Sequence, residues 1–310
     1  MDSVPNAYRH GKRVRWALYV MLIPALIIVA IYSYGPIVGL SIAFQNFQLS
    51  NGLFGSEWVG LENFEYIFRM PTFSQALRNT LFISFFKIIL GLAFPILVAI
   101  LLNEVRSNFY KRTVQTFIYL PFFISWVIIS GLFKDILSPS TGMVNGLLGF
   151  FGIKPIYFMG NPSVFPFTVI FSDLWKGFGY ATILYLAALV GIDPALYEAA
   201  TVDGANRYQK ILRITLPGIV PIVVLNATLK LGTVLDGGFD QVANMYSPVV
   251  YKYGDTIDTL VYRVGIQSVR DSMPRFEIAA AIGLFKSAVS TILVSAAYYL
   301  AYKFADYRIF

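Results

Sequence analysis

A chain of 310 residues that is 57% hydrophobic and 13% charged carries about half the roughly 25% charged residues of an ordinary soluble domain. With a mean hydropathy of +0.65, much of its surface must face something other than water. It has no cysteine and a single histidine, His10, which excludes disulfide scaffolds, cysteine-based zinc sites and thiol nucleophiles and leaves histidine catalysis without a basis. The net charge of +7 does not point to nucleic acid, because the basic residues sit at the edges of apolar runs rather than in one stripe.

In chain order, Arg9, Lys12, Arg13 and Arg15 precede an apolar run that starts at Trp16. The run is too long for a signal peptide and no small-residue cleavage site ends it, so it predicts a retained first helix. A spanning helix needs about 20 mostly apolar residues. Six segments qualify: 16–42, 79–102, 114–137, 165–190, 215–235 and 277–302. The expected architecture is an all-α polytopic membrane protein, with a basic N-terminal segment over 1–15 and one transmembrane domain over 16–310. Pro24, Pro95 and Pro121 fall inside segments, where neighbouring helices can satisfy the freed carbonyls.

Lys and Arg in the connections set the orientation. One set of ends holds Arg9, Lys12, Arg13, Arg15, Arg106, Lys111, Arg112, Arg207, Lys210, Arg213, Lys303 and Arg308. The connections 43–78, 138–164 and 236–276 hold fewer for their length, although the last carries Lys252, Arg263, Arg270 and Arg275 against Asp240, Asp255, Asp258 and Asp271. Both termini are therefore expected on the cytoplasmic side.

Lys87, Lys134, Asp173, Lys176, Lys230 and Lys286 lie in or near spans. A charge at bilayer depth costs at least about 2.5 kcal/mol, so such a residue faces protein or water, or snorkels from a span end. The run Asp173-Leu174-Trp175-Lys176-Gly177-Phe178-Gly179-Tyr180 opens the fourth span. Aromatic rings cover the flat faces of sugars and polar groups bond their hydroxyls, so Trp175, Tyr180 and Asp173 are candidates for a substrate path. The alternative for the two aromatics is interfacial anchoring. Gly35-x-x-x-Gly39 and Gly142-x-x-x-Gly146 have the spacing of close helix packing, though the second falls in an expected loop.

Between the fourth and fifth segments, residues 193–217 read as a helix–turn–helix. Asp193 is a good N-cap and Pro194 a good first helical residue. Gly204 can take the left-handed conformation that ends a helix, and Asn206 can cap a second. Ala195, Ala199 and Ala200 give the first helix small side chains around Glu198, which suits close approach to another surface. The segment resembles the EAA loop of binding-protein-dependent ABC importer permeases: Glu198-Ala199-Ala200, three residues, Gly204, nine residues, then Ile214-x-Leu216-Pro217, with Asp203 and Ala205 in the common Asp-Gly-Ala form. Leu22-Ile23-Pro24-Ala25-Leu26, Trp58-Val59-Gly60-Leu61-Glu62-Asn63-Phe64, Leu137-Ser138-Pro139-Ser140-Thr141-Gly142 and Tyr262-Arg263-Val264-Gly265 resemble its sugar branch, within it the LplB-like polysaccharide and oligosaccharide permeases.

The resemblance implies a type I importer permease of the bacterial inner membrane with six spans. A second permease subunit, usually a different one, two cytoplasmic ATPases and an extracytoplasmic binding protein would be its partners. Glu198, Ala199, Ala200, Asp203, Gly204, Ala205 and Arg207 would couple it to an ATPase. The chain lacks the Gly-x-x-x-x-Gly-Lys-[Ser/Thr] phosphate loop, so ATP and magnesium are expected on the partner ATPases, with no cofactor or metal here. A membrane-embedded enzyme would need a catalytic constellation, and His-Glu-x-x-His, Gly-x-Ser-x-Gly and paired intrahelical aspartates are all missing. A secondary transporter would leave the loop without a purpose, and no internal inverted repeat is visible.

Overall fold

The computed structural model describes residues 11–267 and 274–305. Arg9, His10, Arg270, Asp271 and Arg308 lie outside the described residues, as do the side chains of Lys12, Arg13 and Arg15. The chain is helical almost throughout: α1 (Gly11–Val29), α2 (Gly52–Gly55), α3 (Glu62–Arg69), α4 (Pro71–Glu104), α5 (Asn108–Tyr119), α6 (Trp126–Ile136), α7 (Met143–Phe150), α8 (Phe165–Val190), α9 (Pro194–Val202), α10 (Arg207–Lys210), α11 (Leu216–Gly232), α12 (Phe239–Met245), α13 (Tyr251–Gly254), α14 (Ile257–Gly265) and α15 (Phe276–Ala305). One two-residue antiparallel ladder, β1 (Gln45–Asn46) on β2 (Glu57–Trp58), pins the connection after the first span. Helix α1 runs on through a wider π turn, Ala30–Tyr34, and a tighter stretch, Gly35–Phe44.

Among the described residues, four helical runs are long and apolar enough to cross a membrane: Tyr19–Phe44, Pro71–Glu104, Arg207–Gly232 and Phe276–Tyr299. Two further runs are bent, α5–α6 by 104° and α8–α9 by 68°. Counting each bent pair as one span gives the expected six.

The third segment corrects the expectation of a continuous helix over 114–137. Pro121 cannot continue the helical hydrogen bonding, and the chain tightens over Leu120–Phe123, extends at Ile124 and restarts at Trp126 behind Ser125. The carbonyls freed at this corner are bonded by one side chain. Lys176 on α8 donates to the Phe122, Ile124 and Pro121 oxygens at 2.7, 2.6 and 3.3 Å. Its ammonium also sits 5.5 Å from the ring centres of Phe122 and Trp126.

Helices α4 and α8 pack along their lengths and order the core into three clusters. Near the start of α4, Phe73 and Ala76 meet Ile67, Ile257, Leu260 and Ile282. Farther along, Ile83 meets Phe165, Val169, Ile170 and Val242. Ala99 and Leu102 pack on Tyr185, Leu189 and Ile219 at the opposite end. Lipid is as apolar as leucine, so close fit and interhelical hydrogen bonds hold such a bundle together. Gln241 donates to the Val169 carbonyl and the Ser172 hydroxyl at 2.6 and 2.8 Å, and Asn226 donates to the Tyr185 hydroxyl at 2.9 Å. The outward residues are large and apolar, as a lipid-facing surface requires.

The two glycine pairs do not serve as packing faces inside the chain. A methyl group at Gly39 would meet nothing within 4 Å, and one at Gly35 only its own helix. Gly142 precedes the short helix α7 and packs on its own turn, Ser138. The close approach instead falls at Gly179, where an added Cβ would lie 1.9 Å from the Ile118 carbonyl oxygen on α5.

Candidate functional site

Two places concentrate functional chemistry, and the first is the turn at residues 193–217. The Asp193 carboxylate accepts from the Ala195 amide at 2.9 Å and Pro194 opens α9. The helix ends in a complete Schellman turn. Ala205 N–H donates to the Ala200 carbonyl at 2.9 Å, Gly204 N–H donates to the Thr201 carbonyl at 3.1 Å, and Gly204 sits at φ +75°. Asn206 and Gln209 then form a reciprocal capping box on α10. Lys210 donates to the Thr201 hydroxyl at 2.7 Å, and the Tyr197 and Thr215 hydroxyls lie 3.0 Å apart, which fixes α9 against α10 and the π turn Ile211–Thr215.

This motif is fully capped yet buries almost nothing. Glu198, Ala199, Asp203, Gly204 and Arg207 are exposed, while Ala200 and Ala205 are half-buried. The sequence did not single out Val202 and Tyr208, which are 88% and 79% exposed and flank the turn. Their signal was available, since an apolar side chain beside a helix-ending Asp-Gly has no core to reach. A capped helix that presents apolar side chains beyond its own bundle has the character of a docking element.

The second place is a polar cavity of about 260 Å³ among the spans, lined by Ser84, Lys87, Ile88, Asp173, Lys230, Thr233, Asp236 and Gly238. Asp173 is the one predicted path residue that reaches it. The Lys87 ammonium lies 3.6 Å from the Asp173 carboxylate and donates to Gln241 Oε1 and the Gly237 carbonyl at 2.5 and 3.3 Å. Lys286 donates to Asp258 at 2.5 Å and lies 3.6 Å from Asp236. Burial pushes the Asp258 carboxyl above the usual carboxylate range, against the pull of Lys286. Nearby, burial also raises Asp255, although Arg263 is paired with it. Lys134 does not join this network; it donates to the Asn244 carbonyl at 2.9 Å.

Trp175 and Tyr180 are not brought together. Five residues apart on α8, they point about 140° away from each other. Trp175 meets Phe133 edge-on at 5.6 Å, and Tyr180 stacks on Phe122 at 4.0 Å with the rings 5° from parallel. They remain 38% and 48% exposed.

A many-spanning helical bundle with a capped, exposed helix–turn–helix between two spans is the architecture of an importer permease. The chain belongs to the family of binding-protein-dependent transport system inner membrane components, whose pattern matches residues 91–306. It is 40% identical over 293 residues to the polygalacturonan/rhamnogalacturonan transport system permease protein YteP of Bacillus subtilis, covering 94% of this chain and 90% of that one. It is 38% identical over 299 residues to the protein LplB of the same organism, covering 96% and 92%. A solved bacterial ABC transporter involved in the import of the acidic polysaccharide alginate contains a chain with a TM-score of 0.86 and 40% identity, covering 94% of this chain and 97% of that one. A solved bacterial alginate ABC transporter in complex with an alginate pentasaccharide-bound periplasmic protein contains a chain with a TM-score of 0.85 and 40% identity, covering 95% of this chain and 98% of that one. These relatives are permeases rather than enzymes, and the chain is a multi-pass inner-membrane protein of that class.

Proposed function

We propose that this chain is one permease subunit of an ATP-driven importer that moves an oligosaccharide delivered by an extracytoplasmic binding protein. The observation that carries the reading is the turn at 193–217, with the EAA spacing, every cap made, and its apolar flank turned outward. In this reading Glu198, Ala199, Ala200, Asp203, Gly204, Ala205 and Arg207 sit in a cleft of a partner ATPase, which binds ATP and magnesium. A second permease subunit completes the pathway, and residues 16–310 act as one domain behind the basic segment 1–15. The sugar class follows from the relatives, whose names specify polygalacturonan, rhamnogalacturonan and alginate.

The same reading places both termini and the 193–217 turn in the cytoplasm. The cysteine-free chain makes this easy to check. A cysteine at Asn51 is expected to react with an impermeant maleimide added to whole cells, and one at Arg207 only after permeabilisation. The reverse pattern would overturn the orientation.

A path along α8 gives a second expected result. Trp175→Ala and Tyr180→Ala should reduce uptake by the reconstituted complex several-fold while substrate capture by the binding protein is unchanged. Unchanged uptake in both variants would leave the two rings as contacts of Phe133 and Phe122 and nothing more.

A further inference from the structure

Lys252 lies in a connection on the side where basic residues are otherwise sparse for the length of chain, and neither the 193–217 turn nor the polar cavity uses it. The fold brings it together with Arg78 of α4. The Arg78 guanidinium is 5.9 Å from the centre of the Tyr253 ring, and the Lys252 ammonium is 5.5 Å from the same centre. Both side chains are exposed, and among the described residues neither is paired with a carboxylate. Arg78 and Tyr253 edge a cavity of about 370 Å³ between the start of α4 and the start of α8, walled further by Phe82, Pro166, Phe167 and Ser163. The Phe82 and Phe167 rings meet edge-on at 5.9 Å, and one helical turn deeper Phe85 and Phe171 extend the same apolar surface outward.

The depth of this feature follows from the helix that carries it. Arg78 is 26 residues before Glu104, the last residue of α4. At 1.5 Å per residue that is about 39 Å, close to the roughly 40–45 Å of a bilayer with its headgroups. With Glu104 among the headgroups on one side, Arg78 stands among those on the other, and Phe82 and Phe85 reach into the hydrocarbon. We propose that Arg78, Lys252 and the cavity form a site for one anionic phospholipid. The phosphodiester accepts hydrogen bonds from the guanidinium and the ammonium, and an acyl chain runs down the cavity past Phe82 and Phe167. Two like charges around one ring repel each other until an anion joins them, and basic pockets between spans suit lipid headgroups. A headgroup that carries its own ammonium would meet two cations, so the site selects one without an amine, such as phosphatidylglycerol. A sugar fits these walls poorly: they are mostly aromatic and prolyl, and the Asn79 amide beside them is committed to the Lys252 and Asp255 carbonyls at 3.3 and 3.1 Å. The inference goes beyond the importer reading and needs only that the chain spans a bilayer. In the proposed orientation the lipid belongs to the outer leaflet.

The cysteine-free chain allows a local test. Phe167→Cys is labelled with bimane in the assembled transporter, with its partners' cysteines replaced, and reconstituted into phosphatidylcholine vesicles. Quenching is then followed as phosphatidylglycerol or phosphatidylcholine with brominated acyl chains is added. The brominated phosphatidylglycerol should reach half-quenching at a mole fraction at least fivefold lower than the brominated phosphatidylcholine. Arg78→Gln and Lys252→Gln should each reduce that preference, the double variant should remove it, and Arg78→Lys should keep most of it. Both side chains are exposed, so the variants should keep the melting temperature of the parent. Inorganic phosphate at matched ionic strength should not relieve the quenching, because it has no chain to place in the cavity. Absence of quenching by either lipid would show that another subunit covers this face and would overturn the site. Equal quenching by the two lipids, a preference that survives in the double variant, or a preference that inorganic phosphate abolishes would overturn it as well.

Discussion

Gly204→Val is expected to abolish ATP-driven uptake while the permease stays folded and correctly inserted. Gly204 sits at φ +75°, where a β-branched residue is strongly disfavoured. An added Cβ meets nothing within 4 Å there, so the side chain itself clashes with no neighbour. The penalty falls on the turn alone. A left-handed residue with a Cβ costs about 1–2 kcal/mol, enough to shift the turn's population by roughly five- to thirtyfold. The Schellman bonds from Ala205 to Ala200 and from Gly204 to Thr201 would then open, and α9 would lose its fixed angle to α10. On the proposed coupling role, the surface that meets the ATPase is lost with it. Uptake and substrate-stimulated ATP hydrolysis should both fall at least tenfold, with the melting temperature of the purified permease nearly unchanged. Gly204→Asn should retain most activity, because asparagine tolerates the left-handed region. A fully active Gly204→Val transporter would show that the turn does not couple.

Gly179→Ala should do the opposite and damage the fold before the function. Its Cβ would lie 1.9 Å from the Ile118 carbonyl oxygen and 2.4 Å from the carbonyl carbon. Backbone atoms cannot swing aside as a side-chain tip does, so α5 and α8 must separate. That separation would also pull Lys176 away from the Pro121, Phe122 and Ile124 carbonyls that it holds at the corner of the third span. Overpacking typically costs about 1–3 kcal/mol, and a clash with backbone belongs at or above the top of that range. The matched control is two residues away. Gly177→Ala adds a Cβ into open space and should be neutral or stabilising, since alanine is the better helix former by up to about 1 kcal/mol. Thermal denaturation of both variants in detergent is the measurement, and equal melting temperatures would refute the close contact.

These two glycines also show what the sequence could and could not tell. The role of Gly204 was legible because it is local. Asp193, Pro194, Gly204 and Asn206 each bias their own dihedrals or cap their own helix, and the structure makes every one of those caps. The spans were legible for a similar reason, as runs of apolar residues long enough to cross. Gly179 looked like one more glycine in an apolar run, because its partner Ile118 lies 61 positions earlier on another helix. The bend at Pro121 was misjudged for the same cause. A proline in a span is tolerated when something bonds the freed carbonyls. Here that donor is Lys176, supplied from 52 to 55 residues away. Lys87, Asp173 and Lys230 stood out singly as charges out of place, but only the fold pairs the first two and leaves the third alone. Ser84 and Asp236 gave no signal, since a lone serine in a span and an aspartate at a span's end are unremarkable in sequence.

On the proposed function, this chain and its partner ATPases carry an oligosaccharide across the membrane at the expense of ATP. The direct measurement is uptake of labelled oligosaccharide into vesicles holding the co-purified transporter, with the binding protein outside and ATP within. Uptake should require ATP and the binding protein and should be lost in Gly204→Val. Uptake that continues without ATP, or ATP-dependent uptake of an amino acid or metal ion with no response to any oligosaccharide, would contradict it.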